Sequence, residues 1–189
     1  MTIPDLQETR VTTLAWAYGR FNDLLARLCV LVAGAGVAFA VFALAASAAE
    51  RVLIGISFAV LNDLPPQLVP WIVFPMMGVL LRHGQHVTVD FLPAFLTGRR
   101  AHMLELLIGL LVAVASLVFL AGGMDALAFF RMLNQRSETG LNFPLWWIYA
   151  AFPTGFALLF WFAVEKSLCA ALALAGAETP LRIIRGRAT

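Results

Sequence analysis

An all-α integral membrane protein, with four transmembrane helices, interfacial amphipathic helices and both termini cytoplasmic, is the fold class this sequence predicts. Three observations carry it. Of the 189 residues, 61% are hydrophobic and 13% charged, about half the roughly 25% charge of a soluble domain. Uncharged runs long enough to cross the hydrocarbon core recur four times along the chain. The basic residues are also unevenly placed: ten of the 13 Lys and Arg fall in the two termini and a central connection, and three in the other two connections. Positive charge stays on the cytoplasmic side, so the asymmetry puts both termini and the central connection there. The whole chain, 1–189, reads as one membrane domain, and a net charge of +2 gives no reason to expect a nucleic-acid partner.

Residues 10–28 set Leu14, Tyr18, Phe21, Leu25 and Leu28 at helical spacing, with Arg20, Asn22, Asp23 and Arg27 mostly elsewhere on the wheel. Such a segment can lie in the interface or extend the first membrane helix. Its early charges do not suit a secretory leader, so no cleavage is expected. The first span, about 28–49, is rich in small residues, among them Gly34, Gly36, Ala38, Ala40, Ala43, Ala45 and Ser47. Small side chains let backbones approach closely, which makes Gly36 and Ala40 candidate helix-packing positions.

Residues 52–61 are apolar but too short to span, and suit either an outer-surface helix or a continuation of the first helix. The second span, about 64–81, begins at Pro65-Pro66, which suits a helix start. Pro75 lies deep in it and predicts a kink that frees the Trp71 carbonyl. A cytoplasmic connection, 82–103, separates the halves. The third span is about 104–130. The fourth, about 144–164, opens with the aromatic belt Trp146, Trp147 and Tyr149 and holds Pro153 and Gly155, which predict a bend. Cys29 and Cys169 lack a metal-binding spacing and fall near the cytoplasmic helix ends, where thiols stay reduced.

Little in the chain speaks for catalysis. His83, His86 and Asp90 stand at i, i+3 and i+7 and on a helix could gather around a transition metal. Gly84 and the β-branched run Val87-Thr88-Val89 disfavour a rigid helical platform, and a short interfacial helix with Val87, Phe91, Ala94 and Phe95 toward lipid competes, so no metal is expected. Haem ligation needs histidines inside facing spans, and all three lie in or beside one connection, so no cofactor is expected. Asp125 is the one acid near a span interior; it is either part of an ion path or a solvated or paired carboxylate near the outer headgroups. No glycine-rich phosphate loop and no hydrolase or zinc-protease motif occurs.

Two patches carry a resemblance. Leu81-Arg82-His83-Gly84-Gln85-His86-Val87-Thr88-Val89-Asp90, followed by Leu92-Pro93, is one; Gly140-Leu141-Asn142-Phe143-Pro144-Leu145-Trp146, running on to Tyr149 and Phe152-Pro153-Thr154-Gly155-Phe156, is the other. Together, at this separation and among four spans, they resemble the DctQ-like small permease subunit of the tripartite ATP-independent periplasmic (TRAP) transporters, over roughly Leu28 to Lys166. The motif positions are Arg82, Gly84, His86, Val89, Asp90, Pro93, Pro144, Pro153 and Gly155. The family usually has an acid at the start of span two, where this chain has Pro65-Pro66-Gln67-Leu68-Val69-Pro70. The resemblance implies a non-catalytic subunit in a bacterial inner membrane. Its expected partners are a large subunit that carries the substrate and sodium sites and a periplasmic binding protein that delivers an organic acid. A membrane anchor for a redox complex and a small stand-alone transporter are the alternatives, distinguished by a haem spectrum and by uptake into vesicles holding this chain alone.

Overall fold

The computed structural model describes residues 3–53, 55, 59–83, 98–137 and 142–176. Five helices account for nearly all of them: α1 (Ile3–Leu53), α2 (Ala59–Arg82), α3 (Arg99–Leu133), α4 (Leu145–Tyr149) and α5 (Ala151–Leu174). Four segments are long and apolar enough to cross a membrane: Ala15–Leu53, Val60–Arg82, Arg99–Leu133 and Leu145–Leu174, the last combining α4 with α5. A chain whose backbone must satisfy its own hydrogen bonds in lipid has few other options.

The helices stand in a row, in the order α1, α2, α5, α3, with each packed mainly on its neighbours. Residue pairs fix their directions. Along α1 and α2 the partners run opposite ways: Asp23 meets Arg82, Gly36 meets Ile72 and Ser47 meets Asn62. Along α2 and the fourth span they run together: Trp71 meets Trp147, Phe74 meets Gly155, Gly78 meets Leu158 and Arg82 meets Glu165. α3 and α5 are antiparallel again, with Gly109 beside Ser167 and Gly123 beside Phe152.

α1 settles the two readings of its N-terminal part. It is one unbroken helix from Ile3 to Leu53, about 76 Å long at 1.5 Å per residue, more than twice a hydrocarbon core of roughly 30 Å. Residues 10–28 therefore continue the first membrane helix. Among the half-buried to buried positions on α1, the series Asn22, Ala26, Cys29, Ala33, Gly36, Ala40, Ala43 and Ser47 alternates four and three. That is a 3.5-residue repeat, the spacing of a left-handed helix pair. The small residues thus divide by register. Gly36, Ala40, Ala43 and Ser47 line the seam toward α2, while Gly34, Ala38 and Ala45 are exposed. A Cβ at Gly36 would come within 2.7 Å of Ile72 Cγ1, whereas one at Gly34 would meet nothing within 4 Å. Gly34→Ala should therefore be neutral or stabilise by up to about 1 kcal/mol, because it removes backbone freedom without a clash. Gly36→Leu should lower the unfolding midpoint. Thermal melts of the detergent-purified variants check both, and a lower midpoint for Gly34→Ala would refute the register.

Of the stretch 52–61, residues 54 and 56–58 lie outside the described residues, and the others, apart from Gly55, divide between two helices. Val52-Leu53 close α1 and Ala59–Leu61 open α2, with Gly55 between them at a left-handed φ of 74°. Ser47 Oγ donates to Asn62 Oδ1 at 2.7 Å, and Arg51 donates to the same oxygen at 3.3 Å. These bonds tie the first two turns of α2 to α1. Pro65 and Pro66 accordingly lie inside α2, together with Pro70 and Pro75, and do not start it. Asp63 lies within this helix as well, so the start of the second span does contain an acid.

In the fourth span the helix divides at Ala150, between α4 and α5. Pro153 is the third residue of α5, where its missing N–H is one of those a helix start leaves unpaired. Thr154 Oγ1 donates to the Ala150 carbonyl at 2.7 Å and braces the junction. Pro144 caps α4 in extended geometry and pairs across an isolated bridge with Arg136. Left-handed Asn134 and Asn142 bound this connection, which Ser137 N–H to Phe143 O (2.7 Å) and Leu145 N–H to Gln135 O (3.0 Å) close.

Candidate functional site: a charged clamp at one end of the row

Arg82 is the last residue of α2, at the point where an apolar run meets charge. Its side chain does not reach into solvent. It is 6% exposed and lies between two carboxylates brought by other helices. Nη2 donates to Asp23 Oδ1 of α1 at 2.6 Å, and Nε stands 3.2 Å from Glu165 Oε2 of α5. The Asp23 and Glu165 side chains are 14% and 7% exposed. The second pair is close as charges but poorly aligned as a hydrogen bond, so Nε and Oε2 have no hydrogen-bond partner by geometry. We read it as an ion pair, since Coulomb attraction depends on distance far more than on angle.

A second layer holds the clamp. Asn22, fully buried, accepts from Trp161 Nε1 at 2.8 Å, and the Trp161 ring packs against Tyr18 and Phe21. The guanidinium carbon of Arg82 lies 5.9 Å from the Phe162 ring centre. Ala26, Cys29, Val79 and Phe162 form the apolar cluster beneath. One residue from each of α1, α2 and α5 thus meets in a largely buried site. A guanidinium with its charge already matched twice has little capacity left for a substrate anion.

The opposite end is aromatic. Trp71 Nε1 donates to the Trp147 carbonyl at 3.1 Å, Phe130 stacks on Tyr149 with ring centres 3.9 Å apart, and Arg131 lies over Trp146 at 4.7 Å. The expected aromatic belt is thus one interlocked group that joins the C-terminal end of α3 and the short α4 to Trp71, midway along α2. Between the two ends Ser116, fully buried, bonds back to the Ala113 carbonyl of its own helix at 2.9 Å.

The sequence-derived positions fare unequally. Arg82, Pro144, Pro153, Gly155, Gly36 and Ala40 have the placements given above. Gly84, His86, Val89, Asp90 and Pro93 lie outside the described residues, as does the possible interfacial helix around Phe91. His83 directly follows the second span, and His86 and Asp90, the residues that could have joined it around a metal, fall in that same stretch outside the described residues. Among the described residues no group of three His, Cys, Asp or Glu could hold a metal ion. His102 is 3.4 Å from Glu105 and exposed to about the same degree. Asp125 is exposed on α3. Sequence reasoning missed the inward turn of Asn22 and Asp23, which the helical wheel of 10–28 sets on a polar face, and of Glu165, which directly follows the fourth span. The available signal was that one arginine and two acids fall at the same end of three spans.

A row of four membrane-crossing helices, pinned by an internal charge clamp and a belt of aromatics, defines a polytopic helical membrane protein. Residues 40–173, well over half of the chain, match the family described as tripartite ATP-independent periplasmic transporters, DctQ component. The chain belongs to that family, and is a small membrane subunit of a TRAP transporter. No curated protein and no solved structure matches it.

Proposed function

We propose that this chain is the non-catalytic scaffold of its transporter. It holds in place a large membrane subunit that carries the substrate and coupling-ion sites, for sodium-driven uptake of an organic acid handed over by a periplasmic binding protein. The observation that carries this reading is the fate of the polar groups. Arg82 is held between Asp23 and Glu165 at one end, its single charge engaged by both carboxylates, and buried Ser116 is satisfied by its own helix. A transporter needs polar ligands near the midplane, often at broken helix ends. Here the break at Ala150 lies against Trp146 and Thr154, with no acid beside it among the described contacts.

The orientation that fits is the clamp end and both termini in the cytoplasm, with the aromatic end facing the periplasm across a bacterial inner membrane. Ten of 13 basic residues support it. Reporter fusions after Arg100 and after Arg187 should read cytoplasmic, and one between Arg136 and Glu138 periplasmic; an inverted pattern refutes the orientation. Deleting the chain should abolish uptake by the whole system, and vesicles holding only this chain should neither bind nor move the solute. Sodium-dependent uptake by the chain alone, or normal uptake in its absence, overturns the scaffold reading.

A further inference from the structure

We propose that the large subunit docks a transmembrane helix into the apolar groove between α2, α3 and α4, and that this helix places a lysine or arginine against Asp125. The inference rests on the scaffold reading above and names the face that reading leaves open.

The groove is about 750 Å³ and lined by Pro70, Phe74, Phe119, Gly122, Tyr149 and Phe152 among others. It exists because α2 and α3 stand apart, each packed on the fourth span between them. Its floor is rigid. Phe152 meets Phe74 edge-on and Phe156 at a tilt, and a Cβ on Gly123 would strike Phe152 at 2.7 Å. Gly122, one residue on, has nothing within 4 Å of its Cβ direction and opens to the outside.

Charge selects the occupant. Asp125 is exposed, and it follows Gly122 by three residues on the same helix, so it stands at the rim of the groove. It makes no hydrogen bond or ion pair among the described residues. The aromatic belt marks the membrane interface, and Phe130 of α3 belongs to that belt through its stack on Tyr149. Five residues separate Asp125 from Phe130, which sets the carboxylate about 7.5 Å deeper along the helix. A carboxylate facing outward at that depth is costly unless it is met by a cation. Lipid acyl chains fill a groove but bring no charge to this level. A helix from the partner subunit supplies both the apolar ridge and the cation, and flanking Gly122 and Ala126 let its backbone come close.

The test uses the whole transporter, with the small chain tagged and the large subunit recovered from mild detergent. Gly122→Leu, which fills the groove, should reduce recovery at least fivefold. Asp125→Asn should reduce it about threefold, and Asp125→Lys more than Asn. Gly34→Leu adds the same bulk to an exposed face of α1 and should leave recovery unchanged. Loss with Gly34→Leu but not with Gly122→Leu would place the partner on α1 and overturn the proposal. Unchanged recovery in all the groove variants also overturns it, as does a phospholipid retained at the groove after the large subunit has been bound. Failure of the unaltered chain to retain any large subunit refutes instead the scaffold reading itself. Should Gly122→Leu not accumulate, Gly122→Cys cross-linking decides: the adduct must contain the large subunit, and one formed only with a second copy of this chain counts against it.

Discussion

Arg82→Gln should destabilise the purified chain by about 3–5 kcal/mol, the cost of leaving buried charge without its partner. The size follows from burial. The arginine is 6% exposed, Asp23 14% and Glu165 7%, so removing the cation leaves two largely buried carboxylates without their partner. Glutamine can still donate a hydrogen bond, and for that reason it isolates the charge from the bond. The measurement is an unfolding titration of the chain in mild detergent with increasing dodecyl sulfate. A triple variant, Asp23→Asn with Arg82→Met and Glu165→Gln, should regain most of the loss, because a buried ion pair and a well-packed neutral substitute differ little in net stability. A loss below about 1 kcal/mol for Arg82→Gln would mean that the guanidinium is solvated after all, as exposed pairs are. Since the clamp joins α1, α2 and α5, the same variant should also weaken assembly of the transporter without touching any substrate contact.

Much of the fold was legible because lipid imposes a coarse code. Four uncharged runs, a polar break after Leu81 and an arginine excess at alternate ends need no tertiary information. The charge clamp needed it. Asp23 and Arg82 are 59 residues apart, and each taken alone looks like an ordinary charge at a helix end. Nothing local says that they turn inward. What decides is the crossing of α1 and α2, and that is set by the small-residue seam. The seam was half legible: glycines and alanines were visible as a set, but only the alternation of three and four separates Gly36 and Ala40, which face α2, from Gly34 and Ala38, which do not. The prolines misled for a physical reason. In water Pro65-Pro66 would mark a helix start, while in a membrane span the backbone keeps its helix through prolines because neighbouring groups and local adjustments can meet the freed carbonyls. The motif positions beyond His83 gave a family resemblance that the match over residues 40–173 supports, although Gly84 to Pro93 lie outside the described residues.

Gly155→Ala should destabilise the chain by about 1–3 kcal/mol, as overfilling a close-packed contact does, and Gly155→Leu should prevent its accumulation. The reason is what the new carbon would meet. A Cβ on Gly155 would press on the Cβ of Phe74 and stand 2.7 Å from that residue's backbone carbon and oxygen. A clash with the end of a long side chain is relieved by a rotamer change; a clash with backbone is relieved only by moving a helix. The facing helix repeats the device, since Gly78 sits 3.1 Å from the Leu158 backbone by the same measure. Two glycines, one on each of two parallel helices, therefore set the distance between α2 and α5, and that distance lets Arg82 reach Glu165 at the end of the same contact. Against this loss alanine gains only about 0.5–1 kcal/mol from its better helix propensity, so the sign is fixed. Truncating the ring should not help: in a double-mutant cycle Phe74→Ala keeps the Cβ and backbone that clash, and should show near-zero coupling with Gly155→Ala. Rescue by Phe74→Ala would show that the ring, and not the backbone approach, limits the crossing, and the account of how α2 and α5 are spaced would then be wrong.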